Sequence, residues 1–466
     1  MRLIFQSNID MKMKNLSRIW ILIAVVMTWT ADVYALTGSW RGTLNLGQMK
    51  VPLVFNFSET ATGETQCTMD SPSQGAKGIA TEVVLCTADS VSLTCNTIGV
   101  SYTGKISAGS INGRFSQRGY VFPLDLTPDS PAEERRPQTP KPPYPYNVTD
   151  TTFTAPDGAV MSATLTLPST LDSRKIPAVV MVTGSGPQNR DEEYFEHKPF
   201  AVIADFLARN GIASLRYDDR GTGKSTGDFL TSTTFTFKDD AVSGIEFLRS
   251  IDCIGRVGIL GHSEGGTIAF MAGAEDKADF IVSLAGMAIS GKETMMRQNK
   301  HALDKSGLSD ADKTNSLKII GIVFDTIARQ VRNGVTAPID IDSIVAANGV
   351  QLPQQIIQSL KMTQSTRAPW VDSFLTINPR EYLADVKCPV LAINGEKDMQ
   401  VNPDNLSVIK EFVPKAETML MADLNHLLQH AVTGEITEYD EIRETISPDV
   451  LEAIVQFIKK QTHLND

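Results

Sequence analysis

The residues best suited to covalent catalysis lie at Gly261–Gly265, which reads GHSEG. An apolar run at 256–260 predicts a buried strand before it, and small and apolar residues at 266–274 predict a buried helix after it. A sharp strand-to-helix turn of this kind presents a serine hydroxyl at the positive end of a helix, and glycines two positions away on each side avoid a steric clash. The pattern therefore predicts that Ser263 is a nucleophile.

A serine hydroxyl is a weak nucleophile until a histidine accepts its proton and a carboxylate orients that histidine. Where the serine stands at such a turn, the acid and then the histidine follow it along the chain. We expect the acid just beyond the strand predicted at 389–393, where Asp398 is the first choice and Glu396 the alternative. We expect the histidine to be His426, which follows the last predicted strand and precedes the final predicted helix.

Acyl transfer also needs hydrogen-bond donors for the oxyanion of its tetrahedral intermediate. The backbone N–H of Glu264, directly after the nucleophile, is the first expected donor. The second should come from the loop after the strand predicted at 177–182. There Ser185 is preferred and Gly186 is the alternative, because Pro187 has no N–H.

The elements that must position these residues alternate between strand and helix patterns. After two strands near 148–154 and 160–167, strands are predicted near 177–182, 211–217, 256–260, 280–285, 389–393 and 417–421, with helical segments between most of them. This alternation predicts a parallel sheet with helices on both faces. A long helical stretch at about 290–384 interrupts it, and we expect a cap there, over the carboxyl ends of the strands.

Residues 147–462 resemble the α/β-hydrolase superfamily, whose fold is a doubly wound, mostly parallel sheet. The stretches Gly184–Asp191 (GSGPQNRD) and Arg216–Ser225 (RYDDRGTGKS) are similar to a bacterial exported branch. Members of that branch are described as serine esterases or as relatives of serine aminopeptidases and prolyl-oligopeptidase-type enzymes. The resemblance implies a serine hydrolase, and no cofactor or metal is expected. Within the second stretch, residues 218–220 are predicted to form a structural, ion-paired turn.

The N-terminus has the pattern of an export signal. Lys12, Lys14 and Arg18 precede an apolar run at 19–29, and small residues at 33–35 suit cleavage before Leu36. We therefore expect residues 1–35 to be a signal peptide and the mature chain to be periplasmic or secreted, without a stable membrane span. An uncleaved membrane anchor is the alternative.

Two further regions separate the signal from the α/β domain predicted at 147–466. Short alternating segments at 36–127 predict a small all-β barrel or sandwich domain. A stretch rich in proline and charge at 128–146 predicts a semi-rigid, extended linker. Export would permit one disulfide among Cys67, Cys86 and Cys95.

Composition excludes some classes of partner and leaves three functions open. A formal net charge of -11, without a clustered basic face, argues against nucleic acid. The leading hypothesis is an exported serine hydrolase that cleaves small-molecule carboxylic esters through an acyl-enzyme. Cleavage of short peptides or amides by the same residues is the alternative, and a non-catalytic binding protein is the third hypothesis.

Overall fold

The computed structural model describes residues 36–46, 50–169, 175–365 and 367–462. The predicted signal peptide at 1–35 lies outside the described residues. Most of the chain up to Ser130 forms one compact unit, and a second compact unit contains Ser73–Gly75 and the residues from Pro131 onward. Among the helices of the described residues, none is both long and apolar enough to cross a membrane.

The first unit is one antiparallel sheet of nine strands. The strands are β1 (Gly38–Asn45), β2 (Lys50–Glu59), β3 (Thr65–Ser71), β4 (Ala76–Cys86), β5 (Ser90–Cys95), β6 (Val100–Ser107), β7 (Ser110–Gln117), β8 (Tyr120–Pro123) and β9 (Thr127–Pro128). Their order is β8-β7-β6-β5-β4-β3-β2-β1-β9. Leu126 and Ile111 of β7 exchange backbone hydrogen bonds of 2.8 Å, while β9 pairs with β1. The end of this unit therefore bonds to β7 near one edge of the sheet and to β1 near the other, so the sheet curls. The predicted all-β domain is confirmed.

No disulfide bond joins Cys67, Cys86 and Cys95, so the pairing that the sequence permits is not formed among the described residues. Cys67 and Cys95 are instead buried in the apolar interior of the curled sheet. Burial raises the pKa of the Cys67 thiol to about 12, which keeps this side chain a neutral, apolar group.

The second unit is built on a mixed sheet of eight strands. The strands are β10 (Asn147–Thr154), β11 (Val160–Leu167), β12 (Ile176–Val182), β13 (Ala213–Tyr217), β14 (Ile254–His262), β15 (Ile281–Leu284), β16 (Val390–Gly395) and β17 (Glu417–Met421). Their order is β10-β11-β13-β12-β14-β15-β16-β17. The pairs β10–β11 and β11–β13 are antiparallel and the others parallel. The mostly parallel sheet predicted from the sequence is therefore confirmed.

Helices cover both faces of this sheet. The helices are α1 (Ala132–Arg135), α2 (Pro199–Arg209), α3 (Thr234–Arg249), α4 (Glu264–Ala274), α5 (Gly291–Lys305), α6 (Asp310–Arg332), α7 (Ile341–Ala347), α8 (Gln354–Ser365), α9 (Pro369–Thr376), α10 (Pro379–Leu383), α11 (Asn405–Phe412) and α12 (Pro448–Thr462). Apolar residues of α3, α4 and α11 pack on one face, and those of α2 and α12 on the other. Burial on both faces explains why β12 and β14 are almost continuously apolar.

Six helices, α5 to α10, lie between β15 and β16, where the sequence breaks its alternation. They have an apolar cluster of their own, which includes Ile319, Val323 and Phe324 of α6 and Leu360 of α8. Helix α9 also contacts the sheet side of the unit, because the Ser373 hydroxyl accepts the Thr234 N–H at 3.2 Å. This inserted group of helices therefore has its own core and is fastened to α3.

The proline-rich stretch predicted as an extended linker belongs to the second unit from Pro131 onward. It contains the short helix α1, and the side chain of Arg136 is buried. The Arg136 guanidinium donates to the backbone carbonyls of Phe195, Asp440 and Ile442 at 2.9–3.0 Å. A buried cation requires hydrogen-bond acceptors around it, and here two loops supply them. The stretch is therefore a packed strap across these two loops rather than an extended linker.

Replacing Arg136 with alanine should lower the free energy of unfolding by about 3 kcal/mol, because three backbone carbonyls lose a charged donor. Urea unfolding measures the change. Arg249→Ala is the matched control, since that side chain is 37% exposed and makes a 3.4 Å ion pair with Asp279. We expect the control to lose less than about 1 kcal/mol. Equal losses in the two variants would contradict the strap.

Candidate active site

Ser263 lies at a strained turn between β14 and α4, with φ +53° and ψ −117°. Residues other than glycine rarely adopt such a backbone, and it persists only where the surroundings enforce it. A Cβ atom added to Gly261 would lie 1.9 Å from the carbonyl oxygen of Gly265. One added to Gly265 would lie 2.2 Å from the carbonyl oxygen of Val182. The two glycines are therefore required for the turn that presents Ser263.

Asp398 and His426 are brought together by a 2.8 Å hydrogen bond between Oδ2 and Nδ1. The second carboxylate oxygen of Asp398 accepts the backbone N–H groups of Gln400 and Val401, each at 2.8 Å. Both side chains are buried. A fixed carboxylate that accepts the Nδ1 proton leaves the lone pair of His426 on Nε2, which is the form that a general base needs.

The alternative residues are placed elsewhere. Glu396 is exposed, and its carboxylate accepts the Asp423 N–H at 3.4 Å rather than a bond from His426. The side chains of His197, His301 and His430 bond to Thr445, Glu435 and Glu444, respectively. Among the histidines that the structure describes, His426 is the one hydrogen-bonded to Asp398.

The loop after β12 lies against the nucleophile, because a Cβ atom on Gly184 would be 3.1 Å from the Cβ of Ser263. Glu192 accepts the Gly184 N–H at 2.7 Å, so this N–H is not available to an oxyanion. Within the described ranges, the backbone N–H groups of Ser185 and Glu264 have no hydrogen-bond partner. Gly186, the alternative donor, follows with φ +100°. The two preferred donors are thus available at the turn and at the neighbouring loop.

Buried carboxylates hold this loop in place, which the sequence did not reveal. The turn predicted at 218–220 is ion-paired, since Arg220 pairs with Asp157 at 2.7 Å and with Asp240 at 2.5 Å. Within it, the Asp219 carboxylate accepts the Thr183 hydroxyl at 3.0 Å and the Gln188 N–H at 2.9 Å. Burial raises the pKa of Asp219 well above its usual value. Its neighbour Asp218 does form an ion pair, with Arg190 at 2.8 Å. The turn therefore fixes both ends of the loop that carries Ser185.

The side chain of Glu264 is a second unforeseen feature. It is buried, and it accepts the hydroxyls of Ser185 at 2.8 Å and Thr234 at 2.7 Å. The indole N–H of Trp370 in α9 donates to it at 3.0 Å. Burial raises the pKa of Glu264, and the three donors oppose that shift. One carboxylate thus joins the residue after the nucleophile to the loop, to α3 and to the inserted helices.

His262 is a third. Its Nδ1 lies 2.8 Å from Oε1 of Glu192, and its Nε2 lies 2.9 Å from the backbone carbonyl oxygen of His426. The ring centroids of the two histidines are 4.8 Å apart. Burial is the largest single influence and disfavours the charged ring, but the charge and hydrogen bond of Glu192, the carbonyl of His426 and the charge of Asp398 together outweigh it, so the pKa of His262 is raised. Spacing alone predicts only that this side chain points away from that of Ser263.

The sequence of this chain is similar to one protein family and to several known proteins. Residues 157–427 match the model of the family described as X-Pro dipeptidyl-peptidase (S15 family). Esterase EstD of Thermotoga maritima is 25% identical over 278 residues, which are 56% of this chain and 56% of EstD. The match therefore spans little more than half the length of EstD. An uncharacterized 31.7 kDa protein of Escherichia coli is 29% identical over 207 residues, 43% of this chain and 67% of that protein.

Solved structures similar to this chain include the esterase Pf2001 and a protein named Est1E. Pf2001 of Pyrococcus furiosus has a TM-score of 0.41 and 16% identity, and the match covers 68% of this chain and 93% of Pf2001. Est1E of Butyrivibrio proteoclasticus, solved with ferulic acid, has a TM-score of 0.41 and 18% identity, with 67% and 99% covered. Because the family model matches more than half of its 466 residues, the chain belongs to the family described as X-Pro dipeptidyl-peptidase (S15 family) and has the α/β-hydrolase fold.

Proposed function

We propose that this protein is an exported enzyme that hydrolyses carboxylic esters through an acyl-enzyme at Ser263. The observation that carries the proposal is the buried 2.8 Å bond between Asp398 and His426, in a unit whose strained turn presents Ser263. Export is proposed from the signal pattern at 1–35.

In the proposed first step, Nε2 of His426 takes the hydroxyl proton of Ser263 while Oγ bonds to the carbonyl carbon of the ester. The N–H groups of Ser185 and Glu264 donate to the oxyanion that forms. His426 then returns the proton to the alcohol oxygen as the C–O bond breaks. In the second step, His426 takes a proton from water while the water oxygen bonds to the acyl carbon. His426 then gives that proton to Oγ as the bond between Oγ and the acyl carbon breaks, so the carboxylic acid leaves and the Ser263 hydroxyl is restored.

Two observations favour an ester over a dipeptidyl substrate. A dipeptidyl-peptidase must accommodate an N-terminal ammonium, but the buried carboxylates of Glu192, Asp219 and Glu264 already accept at least two hydrogen bonds each from the protein. In addition, Trp370 packs with apolar side chains, among them Val401, whose N–H holds Asp398. An apolar surface beside both the turn and the acid suits the hydrocarbon part of an ester. The relation to EstD points the same way.

Amide or peptide cleavage is the second candidate, and the family match favours it. Labelling with a fluorophosphonate, followed by peptide mapping, tests the nucleophile that both candidates share. We expect an adduct on Ser263, turnover of p-nitrophenyl butyrate and no turnover of Ala-Pro-p-nitroanilide. A kcat/KM for the anilide comparable with that for the ester would instead support the peptidase. A folded protein without an adduct at Ser263 would refute both and revive the binding-protein hypothesis.

A further inference from the structure

We propose that the buried pair His262 and Glu192 is a positioning bridge that fixes the separation between the oxyanion loop and the general base His426. Neither side chain takes part in the proposed chemical steps. The inference rests on the proposed function, because it concerns how well Ser263 and His426 are aligned when the ester reacts.

One end of the bridge holds the oxyanion loop. Oε1 of Glu192 accepts the Gly184 N–H at 2.7 Å and lies 2.8 Å from Nδ1 of His262. Gly184 is the residue before the preferred oxyanion donor Ser185, and its backbone packs against the Cβ of Ser263. A shift of Glu192 would therefore move the loop beside the nucleophile.

The other end holds the general base. A carbonyl oxygen can only accept, so Nε2 of His262 must donate to the backbone oxygen of His426, 2.9 Å away. Asp398 holds the ring of the same residue through Nδ1. The backbone and the side chain of His426 are thus fastened separately, and the backbone bond depends on His262.

The surroundings of the bridge make its bonds strong. Both side chains are buried, among apolar groups that include Phe200, Leu284 and Ile446. In such a medium a hydrogen bond gains strength and an unpaired polar group is costly. Glu192 also has φ +51°, a conformation that a non-glycine residue keeps only where its contacts enforce it.

Loss of the bridge should therefore lower kcat and leave KM nearly unchanged. A misplacement of about 1 Å between reacting groups can cost about 100-fold in rate. Ground-state binding of an ester uses neither Glu192 nor His262, so KM should change by less than about twofold. A purely structural role would reduce the number of active molecules, not the turnover of each one.

The test uses His262→Asn, Glu192→Ala and the double variant, with active sites counted by fluorophosphonate labelling. Asparagine can present its Nδ2 to Glu192 but does not reach the carbonyl of His426. We expect each single variant to lose about 10- to 100-fold in kcat per active site. The double variant should fall no further than the worse single variant, within about twofold, because the two residues act as one unit.

Two controls separate positioning from folding. His197→Asn removes another buried histidine, which bonds to Thr445 and to the carbonyl of Tyr439, and should cost stability without changing kcat per active site. His262→Gln keeps a donor near the position of Nε2 and should recover part of the kcat that His262→Asn loses. Recovery supports the bond to His426 as the cause.

Three results would overturn the bridge: wild-type kcat per labelled site in both single variants, losses that multiply in the double variant, or no recovery in His262→Gln. Each of these is distinct from failure of the proposed function. That failure would appear in the unaltered protein, as absence of an adduct at Ser263.

Discussion

Ser263→Ala should lower kcat for p-nitrophenyl butyrate by roughly 10⁴- to 10⁶-fold. Alanine removes Oγ, and with it the acyl-enzyme route, while the oxyanion donors remain. The variant should fold normally, because the backbone at φ +53° is enforced by the contacts of Gly261 and Gly265 rather than by the hydroxyl. Steady-state kinetics with matched protein concentrations measures the loss.

The matched control for this variant is Ser309→Ala, which removes another serine hydroxyl far along the chain. Ser309 caps α6 by accepting the Asp312 N–H at 3.1 Å, so its loss should cost about 1 kcal/mol of stability and no kcat. If Ser263→Ala kept a tenth of the activity, a different nucleophile would be required and the proposed mechanism would be wrong.

Asp398→Asn should lower kcat by about 10⁴-fold, the size of effect known for this change in Ser-His-Asp hydrolases. Asparagine can keep the bonds from the N–H groups of Gln400 and Val401, so the loop should stay in place. Its amide, however, can donate to Nδ1 of His426. The proton of the ring would then move to Nε2, which could no longer accept the proton of Ser263.

Glu396→Gln is the control for the acid, since Glu396 was the alternative in the sequence and is exposed in the structure. We expect its kcat to stay within about twofold of the unaltered protein, because its 3.4 Å bond with the Asp423 N–H lies outside the pair of Asp398 and His426. A large loss in this variant together with an active Asp398→Asn would reverse the two roles.

Sequence patterns were sufficient for the features that depend on local spacing. The turn at Ser263 is set by the glycines two residues away on each side and by the strand and helix that flank it. A short continuous stretch of sequence therefore specifies it. Asp398 and His426 are separated by 28 positions, but each follows a parallel strand, and the carboxyl ends of such strands meet at one edge of the sheet. Chain order therefore predicted a pair that the structure places 2.8 Å apart.

The contacts that hold the site were not predictable in the same way. Glu192 and His262 are 70 positions apart, and Ser185 and Glu264 are 79 apart. Neither Glu192 nor the side chain of Glu264 has a spacing signature, because a buried carboxylate is recognised only by the donors that surround it. His262 has no such signature either, since its partners come from two other loops.

The strap around Arg136 shows how composition misled the prediction. Prolines and charges at 128–146 are typical of an extended, solvated segment, and a linker was the natural interpretation. Arg136 instead reaches carbonyls more than 300 positions away, at Asp440 and Ile442. Such a contact leaves no trace in local composition.

The strap also bears on how this gene could be rearranged in evolution. Its codons lie next to those of the all-β unit, but Arg136 and Gln138 bond to loops of the second unit. A recombination junction placed at residue 147, where the sheet begins, would separate the strap from the loops it fastens. A junction between Ser130 and Pro131 would keep the strap together with those loops. New N-terminal fusion partners should therefore be tolerated only when residues 131–146 travel with the enzyme.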